Sequence, residues 1–397
     1  MSTTHRPRLF ERLLALAIAL ALLPAGCGKH ESPTNGGTPP SVVIQSPRSG
    51  DTLSGVGFTV TGLASDEDGI AAIRLKAAGT IFATASTSPF SLYFPAFLFD
   101  AGAIEITVEA EDADGAKGSA TVSALLAERT LRSIGSPSEE EREPAWSPDG
   151  STIVYASRGV SGLRDLHTVP SAGGSPSVLV SSSNDDASPH WSPAGDRIAF
   201  ASNRSGNWDI WTVLAEGGEE TQVTTNSFAD RGPVWSPNGA RLAFHSNRDG
   251  NWNIYSVAIA SGAPSGPEEA YTAAATAESS ATWRADGTAL AFVSNQLGGS
   301  DLATVEPPDP ILSLVPGAND PMVREIHPAF CPKGPFLAFA DNRNVQYDIW
   351  AVDPASGRKK ILASHLADDR EPAWSPRGDR IAFASNRGGT YDIWILE

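Results

Sequence analysis

The chain is expected to be all-β, a β-sandwich followed by a six-bladed β-propeller. Three observations carry that expectation. Short period-two apolar segments run through residues 41–397 and nothing there has a helical period. Gly (37) and Pro (30) punctuate those segments. An aromatic-x-x-x-Gly unit recurs six times at spacings of 44 to 48 residues. At 397 residues the chain also exceeds what one core usually supports. Hydrophobic residues make up 41% of it, enough for packed domains. A formal charge of -17 argues against a nucleic-acid partner, since phosphate affinity comes from clustered Lys and Arg.

The first element is an address. Arg6, Arg8 and Arg12 precede an apolar run over residues 13–23, and Pro24-Ala25-Gly26-Cys27 follows. A basic start, a short apolar stretch and small residues before a cleavage point form a secretory signal over residues 1–26. Read without more, Cys27 is incidental to an ordinary signal peptide. The sequence around it resembles the bacterial lipobox, which implies cleavage after Gly26 and lipidation of Cys27, with a membrane anchor as the result. Gly28 after it, by resemblance to proteobacterial lipoproteins, implies the outer membrane. Residues 27–40 are polar and rich in breakers, as a flexible tether is. Cys331 then has no intrachain disulfide partner, and reads as a small buried apolar residue.

Residues 41–127 hold the sandwich. Val42/Ile44, Phe58/Val60, Ile73/Leu75, Ile104/Ile106/Val108 and Val122 mark strands separated by turns. Asp66-Glu67-Asp68-Gly69 and Asp112-Ala113-Asp114-Gly115 are acidic turns with two readings: a hard-cation site, or Asp side chains bonding their own turn backbone. The phrases SPRSGDTLSG, VTGLASDEDGI and ITVEAEDADGAKG resemble bacterial immunoglobulin-like domains, which implies an immunoglobulin-like sandwich acting as a spacer.

Residues 128–397 hold the repeat. Trp146-Ser147-Pro148-Asp149-Gly150 recurs as units starting at Trp191, Trp235, Trp283, Phe330 and Trp374. Each unit is a turn, because Pro fixes φ at its second place and Gly closes it. An apolar strand follows, as in Ile198-Ala199-Phe200, then a second turn such as Ser202-Asn203-Arg204, then a strand opening on Asp209 or its counterpart. Four short strands per 45 or so residues is the signature of a propeller blade. The recurring tryptophans are expected between blades, a glycan platform being the other reading. Arg204, Arg248, Arg343 and Arg387 are expected to tie hairpins together through Asp209, Asn253, Asp348 and Asp392. The last unit ends after its third strand, while Thr130-Leu131-Arg132-Ser133-Ile134 precedes the first. That orphan strand is expected to complete the sixth blade and close the ring, removing an open edge.

The set PAWSPDG, IAFASNR and DIW resembles the WD-like repeats of the TolB family, periplasmic propellers of the Tol–Pal envelope system. The resemblance implies a binding scaffold of the cell envelope, periplasmic or surface-exposed, with an envelope or surface protein as partner. One resembling the peptidoglycan-associated lipoprotein is the form of partner it suggests.

Candidate contacts lie where loops enter the innermost strands: Arg142, Glu143, Asp186, Asp230, Arg231, Glu278, Arg324, Glu325, Asp369, Arg370 and Glu371. Such a mixed-charge ring either recognises a partner or forms solvated pairs between neighbouring blades. No Gly-x-Ser-x-Gly motif is present and the histidines are scattered, so no cofactor, metal or catalytic residue is assigned. His190 and His327 both fall near innermost strands. A channel-metal enzyme such as a propeller polysaccharide lyase is the alternative, and a purely architectural surface protein is a third.

Overall fold

A computed structural model describes residues 38–136, 138–159, 161–273 and 275–397. Cys27, the leader and most of the tether lie outside the described residues. Among those described there is no α-helix, and therefore none long and apolar enough to cross a membrane.

Two sheets build the first domain. One has the order Ser41–Ser46, Phe58–Ser65, Phe90–Phe94. The other runs Thr52–Leu53, Lys117–Leu126, Gly102–Asp112, Ile70–Ala77, Thr80–Ala85. Alternation turns Val60, Ile73, Leu75, Ile106 and Val108 inward, where they pack as one fully buried core with Phe94. In the acidic turns, Asp66 Oδ1 accepts the Asp68 N–H and Asp112 Oδ1 accepts those of Asp114 and Ala116. These side chains hold their own turns.

Six four-stranded antiparallel sheets follow. Their first strands are Glu140–Trp146, Asp186–Trp191, Asp230–Trp235, Glu278–Trp283, Glu325–Phe330 and Asp369–Trp374, numbered blades 1 to 6 in that order. In blade 6 the outermost strand is Leu131–Ser133, beside Asp392–Leu396. Thr130 and Glu397 extend that pairing by exchanging both backbone bonds, at 2.7 and 3.0 Å.

The Ser-Pro-x-Gly turns explain their own recurrence. The glycine N–H returns to the serine carbonyl at 2.8–2.9 Å in blades 1, 2, 3 and 6. The serine hydroxyl then accepts the N–H five residues on, at 2.9–3.1 Å. Each aromatic that precedes a turn packs on the blade before it. Trp191 lies among Ala145, Val154 and Leu166, and Trp235 among Ala199, Ala201 and Ile210. Trp146 packs with Ala382, Ala384 and Ile393 of blade 6, joining the two ends of the repeat array.

The arginines of the second turns do tie hairpins together, but through other carboxylates than the sequence suggests. Arg204, Arg248 and Arg387 bond the serine two residues before them, then reach Asp186, Asp230 and Asp369 at 2.6–3.0 Å. Arg343 takes Asp341 and lies 3.9 Å from Glu325. Their stems fold back over their own turn, which aims the guanidinium at the inner strand. Asp209 and Asp348 instead hold the second turns themselves, accepting bonds from Ser205 and Asn344.

The first domain is more than a spacer on a string. A 3-10 turn, Ala96–Leu98, carries Phe97 into a cluster with Phe336 and Trp374, their rings 5.3 and 5.8 Å from it. The Tyr93 hydroxyl donates to the Gly378 carbonyl at 2.8 Å, and the Val56 N–H to that of Asp379 at 2.9 Å. Gly378, at φ +70°, suits glycine, because a Cβ there would lie 3.0 Å from the Tyr93 ring and 3.2 Å from the Cys331 sulfur. Cys331 is buried under this contact, and burial pushes its thiol up to about 11. The domains therefore meet over the first turns of blades 5 and 6.

Candidate functional site at the channel mouth

Each inner strand opens with the same local pattern. The first carboxylate of the motif, Glu141, Asp186, Asp230, Glu278, Glu325 or Asp369, is fully buried. Two residues later the chain enters the left-handed region in every blade: Glu143 (φ 59°), Ser188 (53°), Gly232 (59°), Ser280 (54°), His327 (54°) and Glu371 (58°). At these positions the pairing with the second strand shifts register, so each is a bulge. Six bulges, one per blade, aim one residue each at the axis. They ring a cavity of about 500 Å³, which His190, Arg231 and His245 also line.

Electrostatics divide this ring. Arg142 makes a two-pronged pair with Glu371 (Nε 3.1 Å, Nη2 2.7 Å) and lies 4.0 Å over the Tyr391 ring. Glu371 also accepts the Glu143 N–H at 2.8 Å, and burial is offset by Arg142 so that its carboxyl titrates below the usual range. Glu143 accepts the Ser188 N–H at 2.6 Å, but burial, with Glu371 beside it, pushes its carboxyl up. Across the cavity, burial holds His190 and His245 down at about 4, so both are neutral. His190 Nδ1 accepts the Trp235 N–H, whereas the Nδ1 atoms of His245 and His327 are buried without a partner. The six-residue ring therefore joins an ion-paired, acidic side at blades 6 and 1 to a side of Ser188, Gly232 and Ser280, faced by the His190 and His245 imidazoles and the Arg231 guanidinium.

The contacts expected from sequence divide into four groups. Arg142, Glu143 and Glu371 come together as one network, and Arg231 and Arg370 stand at the rim against the rings of Trp208 and Tyr347, at 4.3 and 4.2 Å. Asp186, Asp230, Glu278, Glu325 and Asp369 are fully buried inside their blades, so they present no side chain to a partner. Arg324 precedes its buried carboxylate instead of following it, which places it outside the ring, exposed, with its N–H on Asn342 Oδ1. Sequence reasoning missed Ser188, Gly232, Ser280 and His245. The frame x-x-Pro-x-Trp was a signal for the first two; a cross-strand approach such as that of His245 to Gly232 had none.

Comparisons agree with this architecture. Residues 40–124 match the family model of the bacterial Ig domain, and residues 114–234 that of the TolB beta propeller domain. No curated protein sequence matches the chain. Among solved structures, a putative TolB from Agrobacterium tumefaciens is 20% identical with a TM-score of 0.53, over 67% of this chain and 96% of that one. TolB from Acinetobacter baumannii is 19% identical with a TM-score of 0.52, over 85% and 82%. A gluconolactonase from Xanthomonas campestris is 11% identical with a TM-score of 0.52, over 68% and 89%. At these identities the likeness is one of fold, and it is shared by TolB proteins and a gluconolactonase alike. The chain thus carries a bacterial Ig domain over residues 40–124 and a TolB beta propeller domain match over residues 114–234, on a fold similar to that of TolB proteins.

Proposed function

We propose that the chain is a non-enzymatic binding scaffold of the bacterial cell envelope, held to a membrane through a lipid on Cys27. It recognises an envelope or surface protein on the face where the channel opens. The observation that carries this reading is the six-fold bulge: every blade bears a left-handed residue there, five of them not glycine. Strain of that kind costs about 1 kcal/mol per residue, and it collects where a surface must be held ready for a ligand. Arg231, exposed, and Arg370, half-buried, lie over aromatic faces at the rim, where a partner entering the channel would meet them.

The test uses residues 28–397 as bait for a cell-envelope extract, beside the same chain with Arg231→Glu and Arg370→Glu. A partner held by the first bait and lost from the second supports the reading. Equal capture by both puts the site elsewhere, and capture by neither removes the support for a protein partner.

A second reading has one observation in its favour: His190, His245 and His327 line a single cavity, as in a channel-metal enzyme. Among the described residues no three His, Cys, Asp or Glu side chains lie close enough to hold an ion. Metal analysis of the purified protein, with a polysaccharide screen, decides between the two.

A further inference from the structure

The channel face has a composition that the whole chain does not. Loops into the inner strands and the second turns share this face, because Asn203, Asn247, Asn295 and Asn386 donate backbone N–H groups to the loop carbonyls. Its large apolar side chains are strongly exposed. Met322 is 90% accessible, Val345 86% and Leu366 86%, with Phe228 and Leu297 also exposed. These five belong to loops of blades 3 to 6, so they follow one another around the rim. The three other large apolar residues exposed on the described propeller, Leu131, Val178 and Ile311, sit on outermost strands. Exposed large apolar side chains gathered on one face mark an interaction surface.

The same face carries arginines that stand outside its ion pairs. Six carboxylates that open the inner strands are fully buried. Several acids nearer the surface hold their own loops: Asp185 accepts the Arg164 N–H, Asp320 the Met322 N–H, and Asp368 bonds from Arg370 and the Tyr347 N–H. Asp249 is taken by the Tyr255 hydroxyl. Arg164, Arg231 and Arg324, in contrast, have no ion-pair partner among the described residues. Arg164 and Arg231 are close enough to repel each other. Arg231 and Arg324 are exposed, and an exposed guanidinium outside any ion pair is free to donate to a carboxylate from a partner.

We propose that this face docks an acidic protein segment bearing large apolar side chains, the apolar groups on the arc from Phe228 to Leu366 and the carboxylates on Arg164, Arg231 and Arg324. This rests on the binding-face reading above and adds the chemistry of the partner. Arginine fits the role because its planar fork takes a carboxylate in two bonds. The complementary charge fixes orientation and speeds encounter, and the apolar contacts supply the affinity.

The test selects a random short-peptide library on the immobilised full chain in mild detergent. The expected winners combine Asp or Glu with Leu, Phe or Trp. Their affinity falls about tenfold or more with Arg231→Glu plus Arg324→Glu, falls as salt is raised, and falls with Met322→Ser plus Leu366→Ser. All of these substitutions are at surface positions, so unchanged melting temperatures would show that the fold is kept. Winners that are neutral or basic overturn the acidic-partner inference and leave the binding-face reading standing. No enrichment at all overturns both. Arginine-dependent binding to vesicles of anionic lipid, with no peptide winners, replaces the protein segment by a membrane and also overturns the inference.

Discussion

Gly232 shows how tightly the channel ring is drawn. Its φ is +59°, and a Cβ there would lie 2.7 Å from His245 Cε1. Gly232→Ala should therefore cost about 1–3 kcal/mol, part from the left-handed backbone and part from the clash. In a His245→Ala background the clash is gone, so Gly232→Ala should cost less there than in the wild type by chemical denaturation; an equal cost in both would mean that backbone strain is the whole of it. Glu141 makes a second residue-scale case. Burial pushes its carboxyl up to about 7 from 4.5, although the Ser136 N–H bonds it, and Glu325 is pushed up to about 7 in the same way. A raised carboxyl binds its proton more tightly folded than unfolded, so the folded state loses stability as pH rises between about 4.5 and 7. Glu141→Gln should make that decline shallower in unfolding titrations from pH 5 to 8. Parallel curves for the two proteins would show that Glu141 is charged throughout.

Strands and turns carry the next level. Arg132 lies opposite Ile395, where the Ile134 and Thr130 N–H groups on either side donate to Ile393 and Glu397. Arg132→Pro removes a ladder donor in the strand that completes blade 6, at a cost of about 3 kcal/mol. A lowered melting temperature with increased association is the expected result, since the freed strand Asp392–Leu396 becomes an open edge. An unchanged melting curve would mean that the pairing is dispensable. Trp374 tests packing between elements. It lies between blade 5 and Phe97, with its Nε1–H on the Ala329 carbonyl, and Trp374→Ala should cost about 3–5 kcal/mol by thermal or denaturant unfolding.

For the whole molecule, the contact of Phe97, Tyr93 and Val56 with blades 5 and 6 predicts joint unfolding of the two domains. Scanning calorimetry of the wild-type chain should give one transition, and Phe97→Asp, which places a charge in that contact, should give two. Two transitions in the wild type would show the contact too weak to couple them. The same contact covers first turns on the face away from the channel mouth, so the proposed binding face stays open while the domains are joined.

The blades were legible because each rests on local chemistry. Ser-Pro-x-Gly closes its own turn, alternation sets which face is apolar, and a repeat every 44 to 48 residues says that the units stack. The orphan strand at Thr130 could be read for the same reason, as a fourth strand missing at one end and present at the other. The candidate site was legible only in outline. Sequence placed Arg142 and Glu371 in equivalent loops, but their pairing needs blade 1 beside blade 6, an approach between residues 229 apart. It also ranked Asp186, Asp230 and Asp369 with the exposed contacts, because a carboxylate in a loop reads the same whether an arginine two strands away buries it or water does. The docking of Phe97 on Trp374 had no local signal at all. Sequence by itself determined the repeating unit and its order, since turns and strands are decided by neighbours in the chain; burial, pairing and domain contact were decided by tertiary structure, since they depend on which distant groups share a low-dielectric space.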